Sequence, residues 1–285
     1  MSRPLLPRLH LGEIHEQPWC PAPIRDGATG CLNILATAAR QYDRVQPLLA
    51  AALAHSRARR IVDLCSGGGG PWPRLAPRLA DQVDEILLTD RYPSAQAQVV
   101  AQRSPTLRAW PHAVDAARVP PQLTGFRTLF TAFHHFAPRQ ARALLQDAVD
   151  QGQGIALFEQ TRRSPLALLV MLSLPWIALL AVPLIRPWRA AHLFWTYLIP
   201  AIPLVLLVDG IVSCLRTYSE DELAALIRSL EPPPGTAKRA PYHWTVGRLP
   251  SPLSPLGVTY AIGYPLSSVE SEDGSPTEPR VARTT

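Results

Sequence analysis

Short apolar runs alternate with helical patterns through the middle of the chain. The runs are rich in Ile, Leu, Val and Phe, as buried strands are, and they cover 60–65, 85–90, 107–112, 127–133 and 154–159. Helical spacing of apolar residues covers 29–55 before them, and 72–80, 94–102 and 138–150 between them. Strands that alternate with helices at this spacing predict right-handed βαβ units and a parallel sheet.

A second strand-forming region lies near the C-terminus. Ser219 stands before three acidic residues, which predicts an N-cap and a helix that runs through Leu230. Two strands at 242–248 and 257–264 follow, and the short proline-rich connection between them predicts an antiparallel pair. The Ser-, Glu- and Pro-rich segment 266–285 is predicted to be disordered.

An apolar interlude separates the two regions. Residues 165–185 and 193–208 carry no charge, and a helix needs ~20 apolar residues to cross a bilayer. The favoured interpretation is a helical hairpin, 164–216, that spans a membrane and returns both ends to the cytoplasmic side. Prolines would kink both helices, so an interfacial or re-entrant hairpin and a soluble apolar lid or dimer interface are the alternatives; these prolines are Pro175, Pro183, Pro200 and Pro203.

A glycine loop follows the first apolar run. The run ends at Asp63, Gly67–Gly70 follow, and Pro71 and Pro73 suit the first turn of a helix. A strand, a glycine loop and a helix N-terminus together form a site for a nucleotide-like ligand. Trp72 stands where a dinucleotide fingerprint requires its last glycine. Asp63 would repel a pyrophosphate but attract the ammonium group of S-adenosylmethionine.

Two more acidic residues follow the next two strands. Asp90 could accept hydrogen bonds from ribose hydroxyls, and Asp115 could meet an adenine amino group. Three acids at the ends of three successive strands suit a ligand that carries an ammonium, a diol and an amino group.

These motifs resemble those of class I S-adenosylmethionine-dependent methyltransferases. Residues 63–69, Asp-Leu-Cys-Ser-Gly-Gly-Gly, are similar to the first motif Asp-x-Gly-x-Gly-x-Gly, with Cys65 in the place of the first glycine. Thr89-Asp90 resembles the second motif, 114–116 the third, and 131–136 the segment after the fourth strand. The resemblance implies an α/β fold with a Rossmann-like seven-stranded methyltransferase sheet. Residues 29–163 and 217–265 would form it, with the hydrophobic helical hairpin inserted.

The resemblance also implies a cofactor site and a reaction. S-adenosylmethionine would be bound by Asp63, Cys65, Ser66, Gly67, Gly69, Asp90, Arg91, Asp115, Ala116 and Thr131. His134 and His135 should lie at the ligand edge of the fourth strand as candidate general bases, with His135 preferred; packing beside the cofactor is the alternative role. Glu159 could orient the acceptor or the base, or be a capping or surface carboxylate. Segment 1–28 would fold over the cofactor as a lid, to which Trp19 and Arg25 could contribute.

The amino-acid composition excludes some classes of binding partner. The net charge is +6, but the basic residues are scattered arginines with the single lysine Lys238, which argues against nucleic acid. The four cysteines show neither CxxC pairing nor metal-like spacing with histidine, so they are predicted to be reduced thiols, with no metal site. The prediction is a membrane-associated methyltransferase of a small, hydrophobic, lipid-like acceptor, with its catalytic domain on the cytoplasmic side. A non-catalytic S-adenosylmethionine-binding sensor or scaffold is the first alternative, and a nicotinamide oxidoreductase is less favoured.

Overall fold

An eight-stranded sheet organises the described residues of the computed structural model, which are 6–231, 242–251, 254–266 and 280–281. Its order is β3-β2-β1-β4-β5-β7-β6-β8; β1 to β5 are parallel, and β7 is antiparallel to both β5 and β6. The strands are β1 (Arg60–Asp63), β2 (Glu85–Leu88), β3 (Leu107–Ala109), β4 (Phe126–Phe130), β5 (Ile155–Glu159), β6 (Tyr242–Leu249), β7 (Val258–Pro265) and β8 (Arg280–Val281).

The first seven strands are those predicted from the sequence, and the predicted antiparallel pair is present. β8 pairs in parallel with β6 and belongs to the segment predicted to be disordered. The rest of that segment, 267–279 and 282–285, lies outside the described residues.

Helices cover both faces of the sheet. They are α1 (Ala22–Ala38), α2 (Gln46–Ser56), α3 (Trp72–Leu75), α4 (Ala95–Ala101), α5 (Pro138–Asp150), α6 (Pro165–Met171), α7 (Leu174–Ala181), α8 (Ala190–Leu193), α9 (Ala201–Arg216) and α10 (Glu220–Arg228). Neighbouring side chains of β1 point to opposite faces: Ile61 packs with the α2–α4 layer, and Val62 with α5 and α10. Both faces of the parallel strands are therefore buried.

Local sequence explains where several helices begin. Ser219 Oγ accepts from Glu222 N, and Glu222 Oε2 accepts from Ser219 N at 2.8 Å, which forms the predicted cap of α10. Proline in the first turn starts α1 at Ala22, inside the segment predicted to be a lid, so the irregular part of that segment ends at Pro21. The predicted helical pattern 29–55 is interrupted after Ala38, and Arg40 there has a positive φ of 49°.

The apolar interlude forms an antiparallel helical hairpin, with α6 and α7 on one side and α9 on the other. Met171 and Leu174 lie against Gly210 of α9, and the Tyr197 hydroxyl donates to the Leu179 carbonyl. The tip of the hairpin rests on α1, where Arg189 pairs with Asp26 at 3.1 Å. The tip of the hairpin therefore contacts the domain in this structure, and the membrane-spanning hairpin stays a prediction.

The hairpin remains apolar on its outer side. Among the described residues, Pro165–Leu184 is long and apolar enough to cross a membrane, with mean hydropathy 2.3, and Ala190–Leu198 with Ala201–Arg216 passes the same test as a pair bent by 77°. Length and composition alone support this, and a core helix would also pass. An outer stripe of exposed side chains runs along α6, α7 and the residue or turn that follows each, at helical spacing; it comprises Leu166, Leu169, Leu172, Trp176, Leu180 and Leu184.

Candidate active site

A cavity of about 680 Å³ opens at the carboxyl edge of the parallel strands. One wall is the glycine loop with the ends of β1, β2 and β4, and the opposite wall comes from α1 and the hairpin. The N-terminal segment contributes Glu13, His15 and Glu16. The topology thus brings the glycine loop and the hairpin to one site, at the edge where open α/β sheets bind ligands.

The glycine loop is held in a left-handed conformation. Cys65, Gly67 and Gly69 have φ values of 59°, 55° and 102°. Cys65, which replaces the expected first glycine, therefore keeps the glycine-like backbone. Ser66 Oγ fixes the loop by donating to Asp63 Oδ2 at 2.7 Å and accepting from Thr89 N at 3.1 Å. The loop lines the cavity through Cys65, Ser66 and Gly67, whereas Gly69 packs against Val100 behind it.

Asp63 is a buried carboxylate on the cavity wall. Its side chain accepts from Thr128 Oγ1 at 2.6 Å as well as from Ser66. Burial raises the pKa of Asp63 to about 6, and the donors Thr128 and Ser66 offset this only in part. The ionised carboxylate is therefore poorly stabilised without a cationic partner.

The raised pKa of Asp63 predicts a pH effect on stability. Because the pKa rises from 3.8 unfolded to about 6 folded, its contribution is fully present below pH 3.8 and is lost as the pH rises through 6. Relative to wild type, Asp63→Asn should gain ~2 kcal/mol of unfolding free energy between pH 4 and pH 7, since one pKa unit corresponds to ~1.4 kcal/mol. Urea unfolding of the ligand-free protein across this range measures the difference.

Asp43 provides a control of opposite sign. Arg74 and Arg78 pair with it and lower its pKa. Its contribution is present above its unfolded pKa and is lost as the pH falls through the folded pKa. The Asp43→Asn variant should therefore become less stable relative to wild type as the pH rises. The raised pKa of Asp63 would be contradicted if the stability difference between Asp63→Asn and wild type did not change with pH while that of Asp43→Asn did.

The other predicted cofactor residues lie around the same wall. Asp90 Oδ2 accepts from Gly67 N, and Oδ1 accepts from Tyr92 N, both at 2.8 Å. Burial raises the pKa of Asp90. Arg91 and Asp115 are exposed at the mouth, Ala116 is buried beside Asp115, and all three line the cavity.

Thr131 stands at the end of β4 with a strained backbone. Its φ is 48°, and its hydroxyl forms a hydrogen bond with the Tyr42 hydroxyl. A threonine in the left-handed region costs free energy, so surrounding contacts must hold it there. Thr131 lines the cavity as predicted for a cofactor residue.

His134 is fully buried between two carboxylates. Its Nδ1 lies 2.7 Å from Glu159 Oε2, and its Nε2 lies 3.5 Å from Glu13 Oε1. Burial alone would lower the pKa of His134, but Glu159 and Glu13 outweigh it and raise the pKa to about 10.

Glu159 lies behind His134 rather than at the cavity surface. Besides contacting the ring, its Oε1 accepts from Phe133 N at 2.6 Å. Burial would raise the pKa of Glu159, yet His134 keeps it lowered. Glu159 is therefore placed to orient His134, one of the two roles predicted for it, and it does not line the cavity.

His135 faces the cavity and is partly exposed. Its Nδ1 lies 2.7 Å from Glu16 Oε1 and 3.7 Å from Glu13 Oε2. Hydrogen bonding and charge attraction to His135 lower the pKa of Glu16 to about 2 despite its burial. Of the two histidines, His135 is the one that an acceptor can approach.

Two residues of the site, Asp209 and Arg216, are not predicted by the sequence analysis. Asp209 of α9 accepts from the backbone N–H groups of Ile14 and His15, at 2.7 and 3.0 Å, and lies 2.9 Å from His15 Nδ1. Arg216 at the end of α9 lies 2.7 Å from Glu16. The available signal was a lone acid and a lone base in an apolar helix, a pattern that often marks a functional pair.

Several residues of the N-terminal segment line the cavity, and the lid role of the segment stays a prediction. Arg25 lines the cavity, its guanidinium lies 4.3 Å from the Tyr92 ring centroid, and its Nε donates to the His15 carbonyl at 2.8 Å. Trp19 is 70% exposed and contributes nothing to the wall.

Solved structures with a similar fold are methyltransferases. The plantazolicin methyltransferase BpumL in complex with SAH has a TM-score of 0.54 at 9% identity, covering 88% of this chain and 94% of that one. Its complex with a pentazolic desmethylPZN analog and SAH has a TM-score of 0.54 at 11% identity, covering 86% and 92%. An O-methyltransferase family protein from Burkholderia thailandensis has a TM-score of 0.44 at 13% identity, covering 81% of this chain; the chain spans 57% of that protein's length.

At these identities the likeness establishes the fold. The chain has the class I S-adenosylmethionine-dependent methyltransferase fold, as predicted. No protein-family model and no curated protein sequence matches the chain.

Proposed function

We propose that the protein is an S-adenosylmethionine-dependent methyltransferase. The observation that carries the proposal is the set of polar groups around one cavity: buried Asp63, Asp90 in contact with the glycine loop, and Asp115 at the mouth. Asp63 would bind the ammonium group, Asp90 the ribose diol and Asp115 the adenine amino group. The likeness to a fold solved with SAH bound supports the same cofactor.

The glycine loop fits a ligand that approaches its backbone. A Cβ on Gly67 would come 2.8 Å from Thr29 Cγ2, so a side chain there would displace the loop or α1. S-adenosylmethionine supplies an activated methyl group on a sulfonium. The protein's own contribution is then to hold donor and acceptor in line and exclude water. A hydroxyl or ammonium acceptor must also lose a proton, and we assign assistance of that step to His135.

Gly67→Ala should weaken S-adenosylmethionine binding by ~10-fold or more, because the new Cβ disturbs the loop that receives the ligand. Gly152→Ala is the matched control: its φ is also positive, at 63°, and no described atom lies within 4 Å of an added Cβ. Both variants should lose ~1 kcal/mol of stability from backbone strain. Calorimetry would contradict the proposed contact if both variants bound the ligand equally well.

The hairpin gives the cavity an apolar wall. Met171, Leu174 and Ile177 line it from one side, and Val205 and Leu206 of α9 line it from the other. His135 lies at the polar end of the same cavity. This combination supports a small hydrophobic acceptor whose reacting atom lies beside His135 and whose apolar body lies against the hairpin.

We also propose that the hairpin lies on the cytoplasmic surface of a membrane. The outer stripe is uncharged and exposed, and Trp176, Trp188 and Tyr197 are side chains that suit a membrane interface. Arg186 beside them and the net charge of +6 suit anionic lipids. The hairpin would then stand between the bilayer and the cavity, which supports a lipid-like acceptor.

Charging the outer stripe should abolish membrane binding. Trp176→Glu with Leu180→Glu should reduce sedimentation with phosphatidylcholine–phosphatidylglycerol vesicles at least ~10-fold, since each lost apolar contact is worth ~1.5–3 kcal/mol. Ala51→Glu with Ala54→Glu adds the same charge to exposed positions of α2 and should bind as wild type. The proposal would be contradicted if the wild-type protein does not bind vesicles but forms a dimer that the double glutamate variant disrupts. The outer stripe would then be the interface with a second copy of the chain.

Methyl transfer is tested directly with a labelled donor. S-adenosylmethionine carrying a tritiated methyl group is incubated with the protein and a bacterial lipid extract, and label is counted in the organic phase. We expect incorporation that His135→Ala reduces without loss of donor binding. If the donor bound but no label entered any lipid, protein or small-molecule fraction, a sensor or scaffold would be favoured. If the protein bound NAD and not S-adenosylmethionine, the proposed methyltransferase activity would be excluded.

A further inference from the structure

Imidazole and carboxylate groups from distant parts of the chain converge at the acceptor end of the cavity. We propose that Glu13, His134 and His135 bind a divalent metal ion there. One potential ligand atom from each residue lies within 4.8 Å of the others. His15 and Asp209 form a second such group with the same Glu13, so the proposed ion would bind in a wider polar pocket.

The distances suit ligands of one ion better than hydrogen bonds. Glu13 Oε1 lies 3.5 Å from His134 Nε2, and Glu13 Oε2 lies 3.7 Å from His135 Nδ1. Both separations exceed a good hydrogen bond. Two ligands bound at ~2.1 Å to a tetrahedral ion stand ~3.4 Å apart. His134 Nε2 is buried and has no hydrogen-bond partner among the described residues, so an ion that displaces its proton would bind at this atom.

The groups behind the proposed ligands are those that metal sites use. Glu159 lies 2.7 Å from His134 Nδ1, so a carboxylate holds the ring and directs Nε2 toward the ion. Ser213 Oγ donates to Glu13 Oε1 at 2.9 Å and orients that carboxylate. Glu16 Oε1 lies 2.7 Å from His135 Nδ1 and orients the His135 ring at the site.

Charge also favours a cation. Three carboxylates, Glu13, Glu16 and Asp209, face this part of the cavity, and Arg216 is the guanidinium that contacts Glu13 and Glu16. Nitrogen and oxygen ligands without a thiolate suit zinc, manganese or iron. Three protein ligands beside an open cavity leave a coordination position for a substrate atom, as catalytic sites do.

The chemical role of the ion rests on the proposed function, whereas its binding does not. A hydroxyl acceptor that coordinates the ion becomes more acidic, and its proton passes to water. The oxygen lone pair then forms the bond to the methyl carbon as the carbon–sulfur bond breaks. The sulfur keeps that electron pair and leaves as neutral S-adenosylhomocysteine. With the ion bound, His135 assists the step as a ligand, in place of the general base that it would be without the metal.

Metal binding is measured on the full chain without S-adenosylmethionine. Chelator-treated protein is titrated with Zn²⁺ and with Mn²⁺ by calorimetry, and the metal content is analysed after dialysis. We expect one ion per chain, bound ~10–100-fold more weakly by His135→Ala and by Glu13→Gln. His55→Ala, an exposed histidine at the end of α2, should bind as wild type.

Cobalt gives a readout that a structural role would not. Co²⁺-loaded wild type should show visible absorption of a low-symmetry nitrogen–oxygen site, and His135→Ala should change or lose it. The proposal is overturned if folded protein takes up no stoichiometric metal, or if both ligand variants bind like His55→Ala. S-adenosylmethionine binding on the same samples separates failure of this site from failure of the proposed function.

Discussion

Asp90→Ala should reduce the affinity for S-adenosylmethionine by ~100-fold or more. Asp90 lies between the ligand and the loop: its two oxygens accept from the backbone N–H groups of Gly67 and Tyr92, and it lines the cavity. Each oxygen has a lone pair left for a ribose hydroxyl. Hydrogen bonds to a charged group contribute ~1.5–3 kcal/mol each, and ~1.4 kcal/mol corresponds to tenfold in affinity.

Asp84→Ala is the control for this variant. Asp84 stands just before β2, near the opposite end of the strand from Asp90, and pairs with Arg59 at the surface. The variant therefore removes the same kind of side chain away from the cavity. We expect unchanged affinity for Asp84→Ala. Isothermal calorimetry with S-adenosylmethionine and S-adenosylhomocysteine compares the two. If Asp90→Ala and Asp84→Ala bound S-adenosylmethionine equally well, Asp90 would not contact the ribose, and the proposed cofactor site of Asp63, Asp90 and Asp115 would be wrong.

The parallel sheet could be predicted because its signals are local. Each strand is a short apolar run; Asp63 is the last residue of β1, and Asp90 stands shortly after the end of β2. Parallel strands present their carboxyl ends at one edge, so Asp63 and Asp90 come together without any knowledge of side-chain packing. The glycine loop could also be predicted, because its glycines follow β1 directly in sequence. Cys65 in a glycine position does not change the loop, because the hydrogen bonds of Ser66 hold the backbone conformation.

The cluster opposite the glycine loop could not be predicted, because it joins distant segments. Glu13 and Arg216 meet across most of the chain, and only the folded hairpin brings them together. Apolar length in the hairpin indicated a membrane helix, but it carried no information on which side packs against α1. Only the folded structure shows the contact of Arg189 with Asp26 at the tip of the hairpin.

The roles of the two histidines also depended on tertiary structure. The sequence placed both at the end of β4, and it left open which one an acceptor could reach. The two rings lie side by side, 4.3 Å apart between their centroids, but His134 is buried against Glu159 whereas His135 is partly exposed to the cavity. Glu159 was recognised as important because it ends β5, but its burial makes it a positioning residue.

Arg216→Met should destabilise the protein by ~3–5 kcal/mol and release the N-terminal segment from the cavity. The Arg216 side chain is only 2% exposed, and its Nη1 lies 3.3 Å from Glu13 and 2.7 Å from Glu16. Its Nε donates to the His134 carbonyl at 3.1 Å, and Nη2 donates to the His135 carbonyl. Removing one partner of a buried ion pair leaves uncompensated charge, which accounts for the expected loss.

Two further variants separate this effect from a general loss of packing. Arg216→Lys keeps the charge and should recover part of the stability, because an ammonium cannot reproduce all the donors of the guanidinium. Arg142→Met removes an exposed arginine that pairs with Glu231 at 2.8 Å and should cost less than ~1 kcal/mol. Urea unfolding gives the free energies, and hydrogen exchange of residues 9–20 reports release of the segment. Exchange that stays at the wild-type rate in Arg216→Met would show that Asp209 and the helix contacts hold the lid without the arginine.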